Sequence, residues 1–142
     1  MSNTEKQLFT LSEMKGQKLV LLFFPLAFTS TCTAELCGVR DDISNYSSLD
    51  AKVFGISVDS AFTLKKFKED QHLNFELLSD FNKEASKAYG ALYDSFVLEM
   101  IGVSKRSAFV IDAEGVIRYA EVLEKASEIP NLEKVKEVLS TL

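Results

Sequence analysis

Several things are scarce in this chain, and each scarcity excludes something. A single histidine among 142 residues leaves no His/Cys cluster with the spacing of a metal site, so no metal is expected. That residue, His72 in the stretch Asp70-Gln71-His72-Leu73-Asn74, reads as a solvated loop residue rather than the base of a Cys–His catalytic pair. None of the six glycines belongs to a Gly-rich phosphate loop, and no cofactor is expected. With two prolines, no linker-like tract and no repeat, one domain over residues 1–142 is expected. The longest apolar run, Leu19 to Phe28, is interrupted by Pro25 and falls short of the roughly 20 residues a membrane span requires. It also starts too late for a signal peptide, after Glu5, Lys6, Glu13 and Lys15, so a cytoplasmic location is expected. No run of five like charges forms a tail. A net charge of −5 gives little attraction to phosphate backbones, and nucleic acid is excluded as an expected partner.

What is present is a succession of short, well-punctuated elements. Lys18 to Phe24 is continuously apolar and of strand length, which predicts burial on both faces, as in a parallel sheet. Thr29-Ser30-Thr31 supplies candidate caps for a helix from about Thr31 to Tyr46, whose Leu36, Val39 and Ile43 share one face. Lys52 to Val58 reads as a second strand and Phe62 to Gln71 as a helix capped by Ser60. Phe81 to Tyr89 reads as a short helix stopped by Gly90. Ser107 to Asp112 and Val116 to Glu121 form a hairpin through Ala113-Glu114-Gly115. A last helix, capped by Asn131, carries Leu132, Val135, Leu139 and Leu142 on one face. A strand–helix–strand unit followed by a hairpin predicts an α/β chain of thioredoxin-like arrangement, a mixed central sheet flanked by helices. The pairs Asp41-Asp42 and Glu69-Asp70 read as solvated helix faces.

Only two cysteines occur, Cys32 and Cys37. Cys32 falls where the first strand hands over to the first helix. The first turn of a helix offers unpaired N–H groups and partial positive charge, and both favour a thiolate, the nucleophilic form of cysteine. An ordinary buried cysteine is the alternative from position alone.

The stretch Phe24-Pro25-Leu26-Ala27-Phe28-Thr29-Ser30-Thr31-Cys32 resembles the peroxiredoxin (AhpC/TSA) signature Pro-x-x-x-Thr-x-x-Cys. The segments Phe54 to Ser60, Leu77 to Gly90 and Phe109 to Tyr119 are similar to that family too, and Arg106 stands where the family has a basic residue before a strand. The resemblance implies a thiol peroxidase that reduces hydrogen peroxide and organic hydroperoxides. Cys32 would be the attacking thiolate, which becomes a sulfenic acid. Arg106, the Thr29 hydroxyl and the Cys32 N–H would be donors toward the sulfur and the peroxide. Pro25 would cover the thiolate. Glu35 would orient site groups as a secondary member, since its charge opposes a thiolate unless a cation answers it.

Cys37 lies five positions after Cys32. On an intact helix their Cα atoms would stand about 8.6 Å apart and point about 140° apart. That is beyond the roughly 7 Å a disulfide tolerates, so bridging requires the helix to unwind. Cys32-Thr33-Ala34-Glu35-Leu36-Cys37-Gly38-Val39-Arg40-Asp41 is similar to the PrxQ, or bacterioferritin comigratory, group, which carries a second cysteine at this spacing. The stretch Pro25 to Cys32 is closer to the AhpE group, in which a resolving cysteine is not universal. Cys37 is therefore either the resolving cysteine or a plain helix residue, with an external thiol in its place. Thioredoxin or a similar dithiol is the expected reductant, and a monomer or homodimer the expected assembly. In place of the family's longer N-terminal segment stand only Gln7-Leu8-Phe9-Thr10-Leu11. Two rivals share the fold: a thiol–disulfide oxidoreductase, whose chemistry prefers Cys-x-x-Cys, and a thioredoxin-like binding or holdase protein without turnover.

Overall fold

Leu19, Leu21 and Phe23 point to one side of the first long strand, Val20 and Leu22 to the other, and both sides are buried. In the computed structural model of residues 1–142, this strand, β2 (Lys18–Phe23), lies near the middle of a six-stranded sheet of order β1-β4-β3-β2-β5-β6. β3 (Ala51–Ser57) runs parallel to β2, and β4 (Glu76–Ser79) parallel to β3. β5 (Ser107–Ile111) is antiparallel to β2 and β6 (Ile117–Val122) to β5. The short β1 (Ser2–Asn3) closes the far edge against β4. The mixed sheet expected from the sequence is thus present, with two strands, β1 and β4, that the sequence pattern did not signal. β4 is four residues long, too short for alternation to stand out, and its place is set by register with β3 rather than by composition.

Five helices flank the sheet: α1 (Ser30–Asp41), α2 (Ile43–Ser47), α3 (Ala61–Asp70), α4 (Glu84–Ala88) and α5 (Leu132–Ser140). Two of the expected caps operate, Ser60 accepting the Thr63 N–H and Asn131 the Lys134 N–H, whereas α1 has no side-chain cap. The single helix expected from Thr31 to Tyr46 is broken at Asp42. There the backbone leaves helical geometry, and the carboxylate takes hydrogen bonds from Asn45 and, at 2.6 Å, from Lys136. Asp42 is thus a helix-breaking anchor for α5 as well as a partly exposed charge, while Asp41 beside it stays solvated. The helix expected from Phe81 begins only at Glu84, because the buried Asp80 carboxylate accepts the Ala85 and Ser86 N–H groups and Lys83 turns with φ +65°. The hairpin turns at Gly115, whose φ of +87° suits glycine.

Each face of the sheet has its own core. On one, Val20, Leu22, Phe24, Val53 and Val110 pack with Cys32, Leu36 and Val39 of α1, Leu64 and Phe67 of α3, and Val135 and Leu139 of α5. On the other, Leu19, Leu21, Phe23, Phe54, Ile56 and Phe109 are covered by Phe9, Leu11, Met14 and Tyr89. The N-terminal segment therefore serves as a cover: Phe9 meets Phe54 edge-on at 6.0 Å between centroids, and its N–H reaches the Met1 carbonyl. No helix is long and apolar enough to cross a membrane.

Candidate active site

Register explains how two distant residues meet. In the antiparallel β2–β5 pair, Phe23 lies opposite Ser107. Arg106, one residue earlier, therefore falls beside the end of β2, where the chain turns through Pro25 to Thr29 into α1. Cys32 is the third residue of that helix and is fully buried. Arg106 Nη2 lies 3.2 Å from Cys32 Sγ.

The guanidinium is held on every side. Nη1 donates to Glu35 Oε2 at 2.6 Å, and Nε and Nη2 donate to the Ala126 carbonyl at 3.2 and 2.9 Å. Arg106 and Glu35 are both about 1% exposed. Burial works against the Arg106 cation, but Glu35 and the Cys32 sulfur outweigh it, and its pKa rises. Burial pushes the Glu35 carboxyl up to about 7, against the pull of Arg106. Glu35 Oε1 and the Tyr46 hydroxyl are buried without hydrogen-bond partners. The N–H groups of Thr31 and Cys32 have no acceptor within the chain, so the helix terminus keeps donors free next to the sulfur.

Cys32, Arg106 and Glu35 thus form one cluster. Pro25 is buried at the turn before α1. Thr29 occupies the N-cap position, yet its side chain caps nothing and its hydroxyl donates to the Leu26 carbonyl at 2.8 Å, not to sulfur. Cys37 is half-buried on another face of α1, its thiol donating to Gln71 Oε1 at 3.4 Å. Both cysteines are free, as the helix spacing requires. The Ala126 carbonyl was not foreseeable, because any residue supplies a backbone oxygen and nothing in the side chain marks it. A cavity of about 560 Å³ between the N-terminal segment and the Phe81 turn contains none of these residues. Chemically, the cluster offers a sulfur in reach of a fixed cation and free N–H groups, an arrangement suited to stabilising negative charge on sulfur.

The model of the AhpC/TSA family matches residues 1–120. The chain belongs to the AhpC/TSA family. A peroxiredoxin-named protein of Synechocystis sp. is 39% identical over 123 residues, covering 82% of this chain and 59% of its own length. The mouse protein named mitochondrial thioredoxin-dependent peroxide reductase is 34% identical over 144 residues, covering 96% and 52%. The crystal structure of peroxidoxin BcpB from Mycobacterium tuberculosis superposes with a TM-score of 0.87 at 26% identity, covering 100% of this chain and 91% of that one. The chain spans about half the length of the first curated AhpC/TSA relatives it matches.

Proposed function

We propose that this protein is a thiol peroxidase that reduces hydrogen peroxide and organic hydroperoxides with Cys32. The observation that carries the reading is the buried Cys32 sulfur in the first turn of α1, 3.2 Å from the Arg106 guanidinium. The thiolate attacks the nearer peroxide oxygen, the O–O bond breaks, and the departing oxygen leaves as alkoxide or hydroxide that takes up a proton. Cys32 is left as a sulfenic acid. Arg106 and the Cys32 N–H stabilise the charge spread along the S–O–O line. Thr29, with its proton committed to the Leu26 carbonyl, has oxygen lone pairs left to accept the hydroperoxide O–H. Pro25 limits water at the sulfur, and Glu35 fixes the guanidinium fork.

Cys37 then resolves the sulfenic acid as an internal disulfide, after the first turns of α1 unwind. A dithiol of the thioredoxin type restores both thiols, a role supported by the name of the mouse relative. The Cys-x-x-x-x-Cys spacing argues against a plain thiol–disulfide oxidoreductase. A cytoplasmic location, where disulfides are transient and catalytic, and a monomer or homodimer complete the proposal.

Peroxide consumption with a dithiol donor tests it. Cys32→Ser should abolish turnover, and reduction of insulin disulfides should be slow beside peroxide reduction. Normal peroxidase activity in Cys32→Ser would sink the reading.

A further inference from the structure

Cys37 is tied down more firmly than a surface thiol. Its Sγ donates to Gln71 Oε1 at 3.4 Å, and Arg40, three residues on along the same helix face, donates from Nη1 to the Gln71 carbonyl at 2.6 Å. The Arg40 carbonyl accepts from Asn74 Nδ2 at 3.2 Å. Gln71 closes α3, so the second half of α1 is fastened to the end of α3. The first half of α1 is held to other elements by side-chain hydrogen bonds through Arg106 alone. An amide oxygen only accepts, so the Gln71 bond requires the proton to stay on Cys37. Resolution requires the reverse, a Cys37 thiolate.

We propose that Gln71 is a positioning residue for the resolution step: it parks Cys37 as a neutral thiol, and release from Gln71 sets how fast the internal disulfide forms. This rests on reading Cys37 as the resolving cysteine. Arg40 stays anchored on the Gln71 carbonyl, with its positive charge within electrostatic reach of the Cys37 sulfur. Cys37 then loses its proton to solvent and attacks the Cys32 sulfenic sulfur. The S–S bond forms as the S–O bond breaks, and hydroxide leaves and is protonated to water. The Cys32 sulfur is reduced by one electron and the Cys37 sulfur oxidised by one, so the peroxide already spent is the only oxidant. Parking lengthens the life of the sulfenic acid and exposes it to a second peroxide, which takes it to sulfinic acid.

The test is rapid-quench intact mass of the full chain after one equivalent of hydrogen peroxide, with Gln71→Leu and Gln71→Glu beside the parent. Gln71→Leu removes the acceptor, and the species two mass units lighter should form about three- to tenfold faster, the worth of one hydrogen bond. Less sulfinic acid should then accumulate at high peroxide. Gln71→Glu places a carboxylate against the sulfur. Disulfide formation should slow by a similar factor, and the pH midpoint of its rate should rise. Equal rates in all three proteins would overturn the parking role, and so would acceleration in both variants, which would mean only a loosened helix. No lighter species in the parent would overturn the resolving role of Cys37 first, and the parking role with it.

Discussion

Arg106 makes four hydrogen bonds from inside the protein, and each has its own partner geometry. A lysine ammonium cannot reproduce that planar fork. Arg106→Lys should therefore cut the second-order rate of Cys32 oxidation by about 100-fold, the usual loss when an oriented donor to a charged transition state goes. Stopped-flow kinetics with hydrogen peroxide would measure it, and an effect below a few-fold would remove Arg106 from the mechanism. Glu35 makes a different prediction. Its carboxyl rises from 4.5 to about 7 on folding, so between those values the folded chain holds more protons than the unfolded one. Stability then falls as pH rises through that window, by up to about 3 kcal/mol from this one group. Urea titrations of the parent should show this loss relative to Glu35→Gln, whose side chain does not titrate, and parallel pH curves would show that Glu35 is ionised throughout. The cysteine, the threonine and the arginine stood out as residues. Glu35 did not stand out to the same degree, because the sequence shows a carboxylate opposing a thiolate and does not show the cation between them.

Among the elements, α1 is the one that chemistry would have to break. Cys32 and Cys37 sit on an intact helix, both as free thiols. Oxidation by one equivalent of peroxide should therefore expose the amides of residues 33–38, which the intact helix hydrogen-bonds, to hydrogen exchange while α3 and α5 keep their protection. Protection of α1 that survives disulfide formation would contradict the unwinding. Caps give a simpler expectation: Ser60→Ala should cost about 1 kcal/mol, read as a shift in the urea midpoint, since the Thr63 N–H loses its acceptor. Such caps were legible because a cap is a local interaction between neighbours in sequence. The break at Asp42 was not, because the apolar stripe through Ile43 continues past it and the ion pair with Lys136 spans more than ninety residues.

The whole molecule is a sheet with two cores, and their loads differ. α5 contributes Val135 and Leu139, both fully buried, to the core that also holds Cys32. Leu139→Ala should cost about 2–5 kcal/mol in thermal or urea unfolding, transfer and cavity terms together. A smaller loss would mean that α5 settles into the gap.

By itself the sequence determined the local features: the doubly buried strand β2, the capped helices, the hairpin at Gly115, and a cysteine at a strand-to-helix handover with its threonine three residues before. These depend on side-chain periodicity, backbone freedom and capping, all of which act between neighbours. Only the tertiary structure decided the rest. The β2–β5 register carries Arg106 to the mouth of α1, the loop before α5 turns the Ala126 carbonyl onto the guanidinium, and burial of Glu35 beside that cation lifts its carboxyl. The physical reason is one of range. A hydrogen bond or a desolvated charge depends on which groups the packed chain brings within a few ångströms, and separation along the sequence does not encode that distance.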